Sequence, residues 1–447
     1  MKESLLALCD PAEQANSFSL DGFPALKEGK QWQTRLQEFI ERKGVLGMTT
    51  NQTLFRQLLE TGALDDRLRA LKARGAAATE IYSVLYNEAA TEAARFFAAV
   101  HERWPWEGRV SQEASALLTE LDPLVRDVQR IAAAMKGVGA FTKIPNLRVG
   151  PQAIRAAVAS GQVQPNVTLV FSDRHYLDTV EGYLLGLKDL AAQSPGQVGS
   201  IRSINSLFVS RVDRVVDPMI ALRQAQGHRL DLLLGKVAVA QAKKVYQLFE
   251  AVFLGRPFAD PEGLYADVEG SRMLAQVERL RSLYAALEAL GANPQRLLIA
   301  SSGVKSDQPY HPLLYVLPFL GPWCANTLPE GTLEALVRFV AGRPEEELRA
   351  LRCRNLMAEP LPAVPTDSRP VEVWERALLM TPEERRRSGI AERTPDQILR
   401  LARETVFTPL GTSLRKICDG VRDKGAQAFA ADEQATLQAI AAKLQTL

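Results

Sequence analysis

Eight short runs of apolar and β-branched residues recur along this chain, spaced so that helical segments fit between them. They cover residues 17–21, 45–51, 108–113, 140–145, 166–172, 204–212, 296–302 and 324–329. The intervening stretches carry helical spacing. In 152–159, Ile154, Ala157 and Val158 fall at i, i+3 and i+4, and 176–191 ends before the turn-forming Ser194-Pro195-Gly196. Near-continuous apolar strands alternating with helices predict a parallel sheet covered on its faces. Eight such units predict an α/β fold, a closed (β/α)8 TIM barrel over residues 1–340. The competing open, doubly wound sheet lacks its usual mark, because no GxGxxG follows the first strand.

Composition narrows the function. Lys and Arg total 54 against 52 Asp and Glu, which argues against a nucleic-acid binder working through bulk positive charge. Four scattered cysteines with no CxxC pair rule out a disulfide scaffold or a zinc ribbon and fit a reducing compartment. The apolar stretch at 5–9 is too short for a signal peptide, and the proline-broken stretch at 311–325 is too short to span a bilayer. The expectation is a cytoplasmic protein.

In a (β/α)8 barrel the active site lies at the C-terminal ends of the strands. Here those ends offer Asp21, Asn51, Glu113, Lys143, Asn166 with Thr168, Ser206 with Arg211, and Lys305. Burial disfavours a charged ammonium, and a lysine with a free amine can attack a ketone to form a Schiff base. The plainer alternative for Lys143 is a side chain that snorkels to the surface.

Six words sit at these strands: Thr49-Thr50-Asn51, Ser111-Gln112-Glu113, Lys143-Ile144-Pro145, Asn166-Val167-Thr168-Leu169-Val170-Phe171-Ser172, Phe208-Val209-Ser210-Arg211-Val212-Asp213 and Asn326-Thr327-Leu328-Pro329. In that order the chain resembles the transaldolases over roughly residues 18–341, and more faintly in its last helix. The resemblance implies a barrel of the class I aldolase type. It implies that Lys143 is the Schiff-base lysine, and that Glu113 with Thr168 holds a catalytic water and moves protons. It also implies that Asp21 takes the C4 hydroxyl proton. Asn51, Asn166 and Ser206 would hold the hydroxyls of a three-carbon unit, and Arg211 and Lys305 the substrate phosphate. The implied activity moves a dihydroxyacetone unit between sugar phosphates in the non-oxidative pentose phosphate pathway, with no cofactor and no metal. Expected partners are sugar-phosphate substrates, with neither nucleic acid nor membrane, and a homodimer is left open. The alternatives are a Schiff-base aldolase or transferase of another sugar-phosphate pathway, and an inactive barrel used as a binding protein.

Two local departures stand out. Gln52 occupies a position where the family usually has proline, leaving the turn behind Asn51 without a ring to fix it. Ala114-Ser115 follow Glu113 where the family often has Val-Asp. Residues 341–410 are rich in Arg, Glu and Pro and read as a charged helical insertion with a solvated face, or a docking surface. Residues 411–447 read as a tail packing on the barrel, with Phe429, Leu437, Ile440, Ala441 and Leu444 as an apolar stripe from 426 onward. His101, His175, His228 and His311 show no metal-ligand spacing and read as structural or surface residues. Trp104 and Trp106 read as packing at the barrel bottom. Gly303 reads equally as a plain turn or as room for backbone N–H groups to approach a phosphate.

Overall fold

Each of the eight runs forms a strand: β1 (Ser17–Asp21), β2 (Gly47–Thr49), β3 (Arg109–Glu113), β4 (Ala140–Pro145), β5 (Pro165–Val170), β6 (Ser203–Phe208), β7 (Gln295–Ala300) and β8 (Cys324–Leu328). In the computed structural model, which describes residues 4–24, 31–366 and 372–446, these strands pair in parallel in chain order. β8 closes on β1 to complete the barrel. Among the described residues no helix is long and apolar enough to cross a membrane.

The boundaries differ from the sequence reading where pairing ends early. β6 stops at Phe208, opposite the last residue of β7, Ala300. One residue later the chain turns into the helix Ser210–Ala225, while the Val209 and Ser210 N–H groups still donate to the carbonyls of Ala300 and Ser301 at 3.1 and 3.2 Å. Arg211 therefore stands on the first turn of a helix and not at the end of a strand, as the run to residue 212 had suggested. Asn51 likewise leaves the strand, and its side chain caps the helix Gln52–Glu60 by accepting the Leu54 N–H at 3.0 Å. The connections are also less regular than one helix each. Four helices lie between β2 and β3, whereas the β7–β8 connection contains only the three-residue turn Leu317–Phe319.

The bottom of the barrel is sealed by polar as well as apolar groups. Arg296 donates to Glu107 at 2.6 Å and Ser17 donates to the same carboxylate at 2.5 Å, with both charges buried. Trp106 meets Trp323 edge to face beside them, in keeping with its expected place.

The C-terminal segment is more than a solvated face. Trp374 is buried, and the fully buried Arg385 reaches the carboxylates of Glu359 and Glu392 and the carbonyls of Ala377, Leu378 and Met380. One arginine of the Arg385-Arg386-Arg387 run is thus a structural bolt, because the helix Pro382–Arg387 turns that position inward. The terminal helix runs Leu414–Thr446 and buries Phe429 and Ile440. Leu437 and Leu444 pack against the core, whereas Ala441 is exposed.

Truncating one partner of a buried ion pair leaves the other desolvated, at a cost of about 3–5 kcal/mol. Glu107→Ala is expected to lose stability of this order in urea unfolding, and Glu107→Ala/Arg296→Met to recover most of it. A double variant as unstable as the single would refute the pairing.

Candidate active site

Strand register builds the site. Asp21 pairs with Thr49, Thr49 with Ser111, Glu113 with Lys143, and Lys143 with Asn166. Paired residues on parallel strands share a face, as do residues two apart on one strand. The pleat therefore turns Asp21, Thr49, Ser111, Glu113, Lys143, Asn166 and Thr168 to the same interior. Asn166 lies near the start of β5, not at its end, yet the register sets it directly beside Lys143.

Lys143 is only 5% exposed. Its Nζ donates to Glu113 Oε2 at 3.1 Å and to the Thr50 carbonyl at 2.9 Å. Burial pushes the Glu113 carboxyl above its usual range, opposed chiefly by the charge and hydrogen bond of Lys143. Burial likewise raises Asp21, against the pull of Lys143, a hydrogen bond from Thr49, and the charges of Arg211 and Lys305. Thr49 Oγ1 donates to Asp21 Oδ1 at 2.9 Å and lies 2.7 Å from Thr327 Oγ1. A second polar chain runs across the barrel: Ser206 donates to Asn166 Oδ1 at 2.7 Å, and Asn166 donates to Ser111 Oγ at 3.0 Å. The Thr168 hydroxyl is buried and has no hydrogen-bond partner among the described residues. Next to it, β5 breaks register and Leu169 adopts a left-handed φ of 60°, a strained conformation of the kind concentrated at functional sites.

These groups open on a cavity of about 390 Å³. Asp21, Asn51, Lys143, Arg211, Arg214 and Lys305 all line it. Ser206 and Gly303 also line it, whereas Glu113, Asn166 and Thr168 do not. Arg211 packs over the ring of Phe208 at 5.2 Å and that of Phe429 at 5.4 Å. Burial lowers its proton affinity, opposed by Asp21 and Glu113. A Cβ on Gly425 would come within 3.2 Å of Arg211 Nη1, so a glycine there lets the terminal helix lie against this guanidinium.

Sequence reasoning missed Arg214, Thr49 and Thr327. Arg214 follows Arg211 at i+3, a helical signal hidden by reading residues 204–212 as strand. Both threonines were inside the quoted words, but their role depends on a contact between β2 and β8. The turn behind Asn51 is fixed without proline: Gln52 is buried and donates to the Ala114 carbonyl at 2.9 Å. Ser115, the other departure, donates to Glu433 of the terminal helix at 2.6 Å, and the Ala116 N–H reaches the same carboxylate at 2.7 Å. Three of the histidines have structural partners: His101 with the Glu107 carbonyl, His175 with Asp419, and His311 with Glu375.

Comparison with known proteins shows what this chain is similar to. Residues 32–359 match the model of the family described as transaldolase/fructose-6-phosphate aldolase. The chain is 32% identical over 304 residues to transaldolase 1 of Streptomyces avermitilis, covering 67% of this chain and 72% of that one. It is 33% identical over 314 residues to a transaldolase of Thermobifida fusca, covering 67% and 74%. With a transaldolase of Saccharopolyspora erythraea the identity is 34% over 302 residues, covering 67% and 73%.

The raised Asp21 carboxyl has a consequence for stability. A carboxyl whose folded proton affinity exceeds its unfolded value opposes folding at neutral pH, and the penalty disappears as pH falls through the folded pKa. Asp21→Asn is therefore expected to melt higher than wild type at pH 8, with the difference shrinking toward pH 4. A variant that melts lower at pH 8 would contradict this balance of burial over cations.

Proposed function

The chain belongs to the transaldolase/fructose-6-phosphate aldolase family, and we propose that it is a transaldolase that works through a Schiff base on Lys143. It moves a dihydroxyacetone unit from sedoheptulose 7-phosphate or fructose 6-phosphate to glyceraldehyde 3-phosphate or erythrose 4-phosphate, in the non-oxidative pentose phosphate pathway. The observation that carries this reading is the Lys143 amine. It is buried in the barrel wall, 3.1 Å from a carboxylate, and faces a cavity lined by a second carboxylate and three cations.

The chemistry follows from these positions. Glu113, whose carboxyl burial makes a better proton acceptor, takes a proton from Nζ across the hydrogen bond and leaves the amine nucleophilic. The amine adds to the ketose C2 carbonyl. Loss of the carbinolamine hydroxyl as water gives a protonated imine, with Glu113 and the Thr168 hydroxyl handling that water. Asp21 accepts the C4 hydroxyl proton as the C3–C4 bond breaks. The bonding electrons pass into the imine to form an enamine, and the aldose phosphate leaves. The enamine then attacks the acceptor aldehyde, Asp21 returns its proton to the new hydroxyl, and hydrolysis frees Lys143. Transfer requires the enamine to be held while the aldehydes exchange. The amide of Asn51 and the hydroxyl of Ser206 line the cavity and suit that task, with Asn166 holding Ser206 in place through its Oδ1. Arginine offers phosphate paired donors and lysine a point charge, which fits Arg211 and Lys305 in the cavity lining.

Borohydride with fructose 6-phosphate is expected to trap a covalent three-carbon adduct on Lys143. Lys143→Ala should form no adduct and lose turnover with erythrose 4-phosphate as acceptor. Asp21→Asn should still be trapped while kcat falls on the order of 10²–10⁴-fold. Turnover retained in Lys143→Ala would overturn the proposal. Free dihydroxyacetone accumulating in the presence of acceptor would assign the site to an aldolase.

A further inference from the structure

Asp213 closes the word that begins at Phe208, yet the mechanism gives it no task. It is fully buried on the helix that carries Arg211 and Arg214, and Asp217 follows it one turn later on the same side. The two carboxylates are held alike. Asp213 accepts the Ala238 N–H at 2.8 Å and the Tyr315 hydroxyl at 3.0 Å. Asp217 accepts the Gly235 N–H at 3.1 Å and the Tyr310 hydroxyl at 2.7 Å. Both tyrosines belong to the β7–β8 connection, which also carries Lys305 and whose only helix is the three-residue 3-10 turn Leu317–Phe319.

We propose that Asp213 and Asp217 are positioning residues for phosphate recognition: by gripping Tyr315 and Tyr310, they fix the Lys305 segment relative to the Arg211–Arg214 helix. The inference rests on the reading of the cavity as a sugar-phosphate site. Its first support is geometric. The three cations come from two elements, a helix and an irregular connection, so their spacing is only as definite as the bonds joining those elements. Ser210 and Ser301, with hydroxyls 2.9 Å apart, make a further link near the cavity, and the tyrosines make the links farther along the connection. The second support is energetic. The two carboxylates have only neutral hydrogen-bond partners among the described residues, two N–H groups and two phenols. Burial pushes the Asp217 carboxyl to about 6, and burial with the nearby Asp217 charge pushes Asp213 well above its usual range. Apolar side chains of similar size would fill the same space without that desolvation cost. What they would lack is a directional bond to each tyrosine, and such bonds define a single position for a segment of this kind.

The test separates binding of phosphate from chemistry. KM and kcat are measured for fructose 6-phosphate and for unphosphorylated fructose as donors, with erythrose 4-phosphate as acceptor. Tyr310→Phe is expected to raise KM for fructose 6-phosphate about tenfold, the scale of a hydrogen bond to a charged group. KM for fructose and both kcat values should stay within about twofold. Asp217→Ala should behave as Tyr310→Phe does, and the double variant should be no worse than either single. Asp217→Asn, which still offers Tyr310 a hydrogen-bonding group, should recover most of the loss. A variant that affects both donors equally would show a merely structural role and overturn the inference. So would a Tyr310→Phe enzyme that keeps the wild-type preference for the phosphorylated donor. A wild-type enzyme that does not distinguish the two donors would overturn the phosphate reading itself, and the inference with it.

Discussion

The contact between Lys143 Nζ and Glu113 Oε2 is the interaction around which the barrel mouth is organised. A buried ion pair contributes little to stability, because desolvation of both charges offsets their attraction. An aliphatic pair would occupy the wall at least as well. The pair therefore makes sense as chemistry. In the proposed reaction it sets the nucleophile beside an acceptor for its proton, on two adjacent strands paired at Glu113 and Lys143. The Thr50 carbonyl holds the amine from a third strand end, and Thr50 Oγ1 is itself 2.7 Å from the Tyr86 hydroxyl. Preorganisation of this kind comes from regular strands, which position side chains more definitely than loops do.

How much of this is legible in the sequence depends on the range of the forces involved. The eight strands are, because each is a local apolar run between helical segments. The interior positions are, because the pleat repeats every two residues: Ser111 with Glu113, Asn166 with Thr168. Strand ends are not, because a strand stops where its neighbour stops. The β6 ladder ends opposite Ala300, far away in sequence, and Arg211 falls on the helix that follows. Gln52 shows the same limit. From the sequence it removes a ring, whereas in the fold its amide makes a bond to Ala114 that no local window contains.

The terminal helix extends that lesson to the top of the barrel. It meets the segment after β2 through Asp432 with Thr53 and Arg56, and the segment after β3 through Glu433 with Ser115 and Ala116. It meets the segment after β5 through Asp419 with Arg174 and His175, and the helix after β6 through Phe429 over Arg211. An amphipathic pattern announces that such a helix packs somewhere. It does not reveal that polar residues between the apolar ones reach the segments that follow β2, β3 and β5.

The electrostatics join the two ends of the cavity. Arg211 and Lys305 both hold the Asp21 carboxyl below the value that burial alone would give it. In the proposed reaction those cations receive the phosphate. A dianion seated on them cancels much of their field at Asp21, and in a poorly solvated cavity that field is not screened away. Asp21 then binds a proton more readily when a phosphorylated donor is in place than when the cavity holds only water. In the proposed reaction, the group that takes the C4 proton thus becomes a stronger base on arrival of the substrate that carries it. This coupling requires that the cations lie near enough to act on the carboxylate and far enough along the cavity to grip the other end of the sugar.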